Sequence, residues 1–421
     1  MSDLQADPSP GRRDKATKRT GALDPLRYPA FRYLVAGRTV TMAGNAVAPI
    51  ALAFAVLDLT GSVRDLGLVV GVRSFANVVF VLFGGVIADR LPRHLVMVGA
   101  SALACTIQAA VAGVVLTGSA TIPLLLALSA VNGLAAALAL PASSALVPQT
   151  VPAEVRQQAN AINRLAFNTA MIGGASLGGL LVATAGPGWG LAVDAATFGV
   201  AALLFLLVRV SPLERAATAR AGIFADLRLG WTAFASRTWL WVVVAGFCVI
   251  NAAMTGGMNV LGPVVADETF GRKAWGLVLA VQTAGMIVGA LAALRVRVSR
   301  LLLYGVVWCL GNVLLLAALG LTPHVVPLML AGFAVGFAVE QFGMAWETTM
   351  QEHVPGEMLA RVYSYDILGS ILAVPVGQIA AGPLAEHFGT RTTLLGAAVL
   401  CGFAVAGMLL NRDVRRLPHA L

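Results

Sequence analysis

Twelve apolar runs of helix length, separated by short polar breaks, are the strongest constraint on the fold of this 421-residue chain. A helix needs about 20 largely apolar residues to cross a bilayer. Hydrophobic residues make up 58% of the sequence, and no polar stretch approaches the ~100 residues of a separate soluble domain. The sequence therefore predicts an all-α polytopic membrane protein with twelve transmembrane helices.

Short repeated motifs divide the runs into two groups of six. Val151-Pro152-Ala153-Glu154 follows the fourth run and Val354-Pro355-Gly356-Glu357 follows the tenth, while Gly67-Leu68-Val69 and Gly276-Leu277-Val278 recur at a similar spacing. Parallel repeats of six helices occur in secondary transporters. We predict a basic tail over 1–29, an N-terminal six-helix bundle over 30–209, a linker over 210–238, a C-terminal six-helix bundle over 239–411 and a tail over 412–421.

The basic residues predict the orientation of the chain. The net charge is +9, and most of the 29 Lys and Arg residues fall at the termini or in alternate loops. The loops on the other side hold only Arg64, Arg272, Lys273 and Arg391. Because cytoplasmic loops are enriched in Lys and Arg, we expect both termini in the cytoplasm. No apolar segment of a secretory signal precedes Tyr28, and we expect a plasma (inner) membrane protein of a bacterium.

The sequence lacks the motifs that mark several other classes of protein function. The sequence has no Gly-x-x-x-x-Gly-Lys-Ser/Thr and no His-Glu-x-x-His. Its five His lie at loops or termini, and its four Cys lie singly inside apolar runs. We therefore expect no enzyme activity, no cofactor, no metal and no nucleic-acid partner, and a monomer in the lipid bilayer. A membrane-embedded enzyme, a lipid scramblase and a receptor are the alternatives to a transporter.

A charged cluster lies between the apolar runs 66–88 and 95–117. It reads Gly85-Val-Ile-Ala-Asp89-Arg90-Leu-Pro-Arg93-His, and it resembles the loop between the second and third helices of the major facilitator superfamily (MFS). The resemblance implies the MFS fold. It also implies that Asp89 contacts the start of helix 11 in the outward-open state, where a helix N-terminus attracts a carboxylate. Gly85, Asp89, Arg90 and Arg93 would then form a conformational gate; an ordinary charged loop is the alternative.

The resemblance extends over most of the chain. Val56–Ser62, Gly71–Ser74, Pro141–Pro148, Ala159–Ala161 and Asp194–Phe198 are similar to the MFS branch that contains enterobactin exporters and macrolide efflux proteins. This implies export of a small amphipathic compound, such as a drug or a siderophore, in exchange for protons by alternating access. Multidrug resistance, siderophore export and export of a metabolite all fit. An MFS importer or facilitator is the alternative.

Helix 5 carries Gly174, Gly178 and Gly179 at the spacing that lets helices approach closely. The segment resembles the MFS antiporter motif, although Ala170 replaces its first Gly and Ala175 replaces its Pro. A general small-residue interface is the alternative.

Ionisable residues inside the predicted spans are candidates for coupling, because such residues are costly in a membrane. Glu340 is our first candidate for proton binding, and a structural carboxylate is its alternative. Asp366 is the second candidate; it could instead pair with Arg164 to close the cytoplasmic side, or cap its helix. Arg73 could bind an anionic substrate group, but we favour a pair with Asp58 because an unpaired buried cation is unfavourable.

Further polar and adaptable side chains could line the substrate cavity, although residues of these types also serve in packing. The predicted cavity residues, besides Arg73, are Asn45, Asn132, Asn251, Met254, Met258, Asn259, Gln282, Gln341, Phe342, Met344 and Gln378.

Overall fold

The computed structural model describes residues 23–418 except 91, 210–227, 229–230, 294 and 323, together with most side chains in that range. Most of the predicted N-terminal tail and linker therefore lies outside the described residues. The long helices are α1 (Pro29–Thr60), α2 (Val63–Arg90), α3 (Arg93–Leu116), α4 (Ile122–Thr150), α5 (Arg156–Ala185), α6 (Pro187–Leu206), α7 (Thr238–Glu268), α8 (Arg272–Ala293), α9 (Leu301–Leu321), α10 (Val325–His353), α11 (Gly356–Ile371 and Val374–Phe388) and α12 (Thr390–Leu410).

The helices are long and apolar enough to account for a polytopic membrane protein. Ten of them can span a bilayer by length and hydropathy, and α2 and α5 are 28 and 30 residues long. The described part of the chain contains no β-strand. Large apolar side chains such as Leu330 (68% exposed) and Phe403 (72% exposed) cover the outside, as expected for a surface in contact with lipid. The all-α polytopic prediction is confirmed.

Successive helices run in opposite directions and define two sides of the molecule. We call the side where α1 begins and α12 ends the termini side, and the opposite side the far side. The far-side connections are short, and five of them contain a glycine with positive φ, a conformation that glycine adopts without steric cost. These glycines are Gly61, Gly118, Gly186, Gly271 and Gly389.

The helices pack mainly within two groups. In the first group α1 packs on α5 and α6, α2 on α4, and α3 on α4 and α6; in the second, α8 packs on α10, and α12 on α7 and α9. We call these groups the N-half and the C-half. Between them, α2 packs on the second segment of α11 and α5 packs on α8. In the predicted internal repeat, α2 corresponds to α8 and α5 to α11. The two helix pairs that join the halves, α2 with α11 and α5 with α8, are therefore equivalent.

Three helices of the C-half depart from regular α geometry. A π-helical stretch, Gly256–Leu261, interrupts α7, and Cys309 separates two segments of α9. In α11, which the sequence predicts as one helix, Leu372 and Ala373 separate the segments. Pro375 stands in the first turn of the second segment, where its missing N–H is tolerated. Ile371 and Val374, on either side of this break, line a cavity together with residues of the N-half.

Candidate substrate cavity and gate

A cavity of about 290 Å³ that is lined by two arginines lies inside the N-half, and we call it the N-half cavity. Helix α1 supplies Arg38, Thr41 and Asn45, and α2 and α4 supply Arg73 and Asn132. The remaining lining is mainly apolar and includes Met42, Met97, Phe167, Phe198 and Phe205. Three predicted cavity residues, Asn45, Arg73 and Asn132, are therefore brought together. Arg38 was not among the predicted site residues, although its position inside an apolar run was a signal that could have identified it.

Arg73 is bonded to an amide and not to the carboxylate that we favoured. Its Nε donates to Asn132 Oδ1 at 2.8 Å, while Asp58 binds Arg272. The favoured pairing was wrong because Asp58 lies in the last turn of α1 on the far side, whereas Arg73 lies more than two turns along α2. Asp194 is buried and close enough to attract Arg73 electrostatically. Its Oδ2 accepts a hydrogen bond from Gln108 at 2.5 Å.

Arg73 also borders a second cavity, of about 280 Å³, which lies between the two halves. Ser74 and Asn77 of α2 face it from the N-half, and Ile371 and Val374 of the α11 break close it from the C-half. Because the side chain of Arg73 lines both spaces, the N-half cavity adjoins the space between the halves.

A third cavity, of about 230 Å³, lies in the C-half and contains Asp366. Trp346 Nε1 donates to Asp366 Oδ2 at 3.0 Å, and Ser370 Oγ donates to Oδ1 at 3.5 Å. Phe342 stacks on Phe247 at the same cavity, with ring centroids 4.1 Å apart. Ile371 lines this cavity as well as the one between the halves. The three cavities thus form a row that runs from Arg38 in the N-half to Asp366 in the C-half.

An ion pair joins the two halves on the far side, and we call it the far-side latch. Arg272 at the start of α8 donates to both oxygens of Asp58 at the end of α1, at 2.5 and 3.1 Å. Its Nε donates to Asp267 Oδ1 at 2.7 Å, and its guanidinium lies 4.4 Å from the centre of the Phe54 ring. The sequence predicts Asp58 only as a partner of Arg73, and Arg272 only as a basic residue of a far-side loop. Sequence alone does not show that two distant helix ends meet.

The predicted glycine motif of α5 packs on both halves. A Cβ on Gly178 would lie 2.9 Å from Val47 Cγ2 of α1, and Gly174 faces the backbone of Ala43 on the same helix. A Cβ on Gly179 would lie 2.6 Å from the Cα of Gly276, in the C-half. At the matching interface, a Cβ on Gly67 would lie 2.6 Å from the carbonyl oxygen of Gln378. The repeated motif of Gly67 and Gly276 thus serves close approach between the halves at both interfaces.

Several predicted cavity residues take part in packing inside the C-half. Gln341 is fully buried, donates to the carbonyl of Gly289 at 2.7 Å and accepts from the Tyr304 hydroxyl at 2.9 Å. Asn251 donates to the carbonyl of Ser370 at 2.9 Å. Gln378 and Met258 are buried, Gln282 lies where α8 and α10 touch, Met254 packs against the apolar core, and Asn259 and Met344 are half-buried.

The two proton candidates occupy different surroundings. The Cβ of Glu340 lies against Gly289 of α8, so its side chain starts at a helix–helix contact. Asp366 lines a cavity. Of the predicted gate, Arg93 is half-buried at the start of α3, and the side chains at Gly85, Asp89, Arg90 and Arg164 lie outside the described residues. The predicted Asp366–Arg164 pair stays a prediction.

A bundle of twelve membrane helices in two packed halves, with cavities between and within them, is the architecture of a secondary transporter. The chain belongs to the Major Facilitator Superfamily, whose family model matches residues 34–365. The family resemblance predicted from the sequence is confirmed. Members of this family are transporters and not enzymes, so the chain is a multi-pass membrane transporter.

Named relatives and solved structures agree with this assignment. The chain is 26% identical to the enterobactin exporter EntS of Escherichia coli (strain K12) over 401 residues, which cover 93% of each chain. It is 25% identical to EntS of Shigella dysenteriae serotype 1 (strain Sd197), again with 93% of each chain covered. Its fold is similar to that of the nucleoside transporter NupG, with a TM-score of 0.71 at 16% identity over 91% of this chain and all of that one. A bacterial homologue of the human lysosomal transporter Spinster, solved in an inward-facing and unoccupied conformation, gives the same TM-score at 16% identity over 93% and 98% of the two chains.

Proposed function

We propose that this transporter exports a small amphipathic compound from the bacterial cytoplasm in exchange for protons. The similarity to an enterobactin exporter along nearly the whole of both chains supports export. The concentration of Lys and Arg at the termini and in termini-side loops supports a cytoplasmic termini side. An ion gradient is the proposed energy source because the sequence contains no ATP-binding motif of the Gly-x-x-x-x-Gly-Lys-Ser/Thr type.

The observation that carries this proposal is the position of the contacts between the halves. The α2–α11 and α5–α8 contacts, and the far-side latch, all lie toward the far side. The row of three cavities lies deeper, around the α11 break. With the termini side in the cytoplasm, this conformer is closed to the outside, and the cavities are positioned to receive a compound from the inside.

Transport would alternate this conformer with one closed on the termini side. Opening the far side separates Asp58 from Arg272 and Gly179 from Gly276. The family resemblance supplies the opposing contact, Asp89 at the start of α11. Asp366 is the preferred proton carrier because it lines a cavity of the C-half, and Glu340 is the second candidate. The carboxylate would bind a proton from the outside and release it to the cytoplasm. This proton transfer would drive the return of the transporter without bound compound to the conformer open to the cytoplasm.

Everted membrane vesicles with an acidic interior test this proposal. A pH-sensitive dye reports proton release when macrolides, siderophores or cationic dyes are added. We expect at least one compound to dissipate the gradient with the wild-type protein and with Asp413→Asn, whose carboxylate is exposed on the termini side. The response should be lost with Asp366→Asn. Loss with Glu340→Gln alone would move the coupling site to α10, and equal responses of all variants would contradict coupling through either carboxylate.

A further inference from the structure

We propose that the N-half cavity binds the anionic group of the transported compound through Arg38 and Arg73. This inference rests on the proposed export function and specifies its substrate class. The site would select an aromatic carboxylate or a similar oxyanion on an apolar body.

The cavity carries a cation without a matching acid. Arg38 is the tenth residue of α1, so it lies about 13 Å along the helix from the termini side at 1.5 Å per residue. It is half-buried and lines the cavity. In the described part of the chain, no carboxylate lies within the 4.0 Å ion-pair distance of Arg38 or Arg73. An isolated cation inside a membrane protein is unfavourable, and a bound anion would offset that cost.

Asp194 compensates only part of this charge. It attracts Arg73, but it does not line the cavity, and Gln108 on α3 binds one of its oxygens. Among the described residues that line the cavity, Arg38 and Arg73 carry positive charge and none is a carboxylate.

The other lining groups fit an oxyanion on an aromatic body. A guanidinium group offers a planar fork of donors that matches a carboxylate. Asn45, Thr41 and Ser101 add neutral hydrogen-bonding groups. The apolar lining, which includes Phe167, Phe198 and two methionines, suits an aromatic ring.

The size of the cavity places only part of a larger compound there. Its volume of about 290 Å³ is at the lower limit of the roughly 300–1,000 Å³ of ligand pockets. Arg73 borders the space between the halves, so the remainder of a larger substrate can extend past Arg73 toward the α11 break. By comparison, a cavity of about 460 Å³ between α7, α11 and α12 is lined mainly by Ala, Gly and Leu, and its polar lining residues are Thr392 and Thr393. None of the residues that line it is charged.

Equilibrium binding to the full-length protein in lipid nanodiscs tests the inference without requiring transport. The probes are 1-naphthoate and its neutral amide, 1-naphthamide, which share one apolar body. We expect naphthoate to bind at least tenfold more tightly than naphthamide. Arg38→Gln and Arg73→Gln should each weaken naphthoate binding about tenfold and leave naphthamide binding unchanged. Arg391→Gln, which removes an exposed far-side charge, is the matched control and should change neither.

Folding of the variants is checked separately. Arg38→Gln removes no hydrogen bond that the structure describes, and Arg73→Lys keeps the positive charge should Arg73→Gln not give a monodisperse protein. The inference is overturned if naphthoate and naphthamide bind equally, if naphthoate does not bind below about 1 mM, or if Arg38→Gln binds naphthoate like the wild type. Such results would leave proton-coupled export standing, because the vesicle assay measures it independently.

Discussion

The far-side latch predicts how one carboxylate controls the balance between conformers. Asp58→Ala removes the carboxylate that the N-half contributes to the latch, while Arg272 keeps Asp267 of the C-half and the Phe54 ring of α1. The side chain of Asp58 is 45% exposed, so the two charge-assisted bonds are screened by water. An exposed pair contributes roughly 0.2–1 kcal/mol, and the bidentate geometry favours the upper value of about 1 kcal/mol. Since 1.4 kcal/mol is a factor of ten, Asp58→Ala should raise the ratio of far-side-open to far-side-closed molecules about fivefold.

Distance measurements between spin labels can detect this shift. Labels on cysteines at Ser119 of the N-half and Phe388 of the C-half would report separation of the far side, after the four native cysteines are replaced. Both positions are exposed, so the labels should not disturb packing. We expect the population with the longer distance to increase about fivefold in Asp58→Ala. Raising the salt concentration from 0.1 M to about 1 M should move the wild type in the same direction, because screening weakens exposed ion pairs.

The matched control is Asp267→Ala. It removes a carboxylate bonded to the same arginine, but Asp267 and Arg272 both belong to the C-half. The shift should therefore be smaller than in Asp58→Ala. Equal shifts in the two variants, or no shift in Asp58→Ala, would refute the assignment of the latch as a contact that holds the halves together.

Three further predictions follow from packing and charge. Gly179→Ala should favour the far-side-open conformer in the same distance measurement and slow export, because its Cβ would lie 2.6 Å from Gly276 Cα. The control Gly173→Ala, whose Cβ meets nothing within 4 Å, should behave like the wild type. A reversed result would exclude the contact between the glycines as a gate. Gly44→Ala should destabilise the protein by about 1–3 kcal/mol, because its Cβ would lie 2.6 Å from Asp194 Oδ1. In nanodiscs its midpoint of thermal unfolding should be lower than that of the control Gly99→Ala, whose Cβ meets no neighbour. Equal midpoints would contradict the packing argument. An inside-negative membrane potential should accelerate export of a neutral or anionic compound in exchange for protons, since inward movement of each positive charge releases about 2.3 kcal/mol per 100 mV. The potential is imposed with a potassium gradient and valinomycin. An export rate that does not depend on it would contradict net movement of charge.

The sequence predicted the helices and the family because both depend on local patterns. Apolar runs and the bias of Lys and Arg are properties of contiguous segments. The repeat of Gly67 and Gly276 was also visible, and the structure shows that both glycines serve contacts between the halves. The break at Leu372 was not predicted, because Pro375 is also compatible with the interior of a membrane helix.

The partners of charged residues were harder to predict because they depend on the arrangement of distant helices. An unpaired buried cation is unfavourable, and this favoured a pair between Asp58 and Arg73. In the structure Asp58 binds Arg272, more than 200 residues away. Arg38 was visible as an embedded cation, but the cavity that it lines is built by residues of α1 to α6, which sequence alone does not bring together. Conversely, Gln341 has the composition of a cavity residue and is instead hydrogen-bonded inside the C-half.

Concentrative uptake into everted vesicles tests the central claim of proton-coupled export most directly. A radiolabelled compound that dissipates the pH gradient in the dye assay would be supplied outside vesicles with an acidic interior. We predict accumulation above the external concentration, collapse of that accumulation when nigericin removes the pH gradient, and no accumulation with Asp366→Asn. Accumulation that is insensitive to nigericin, or that occurs only in right-side-out vesicles, would contradict the proposed coupling or direction.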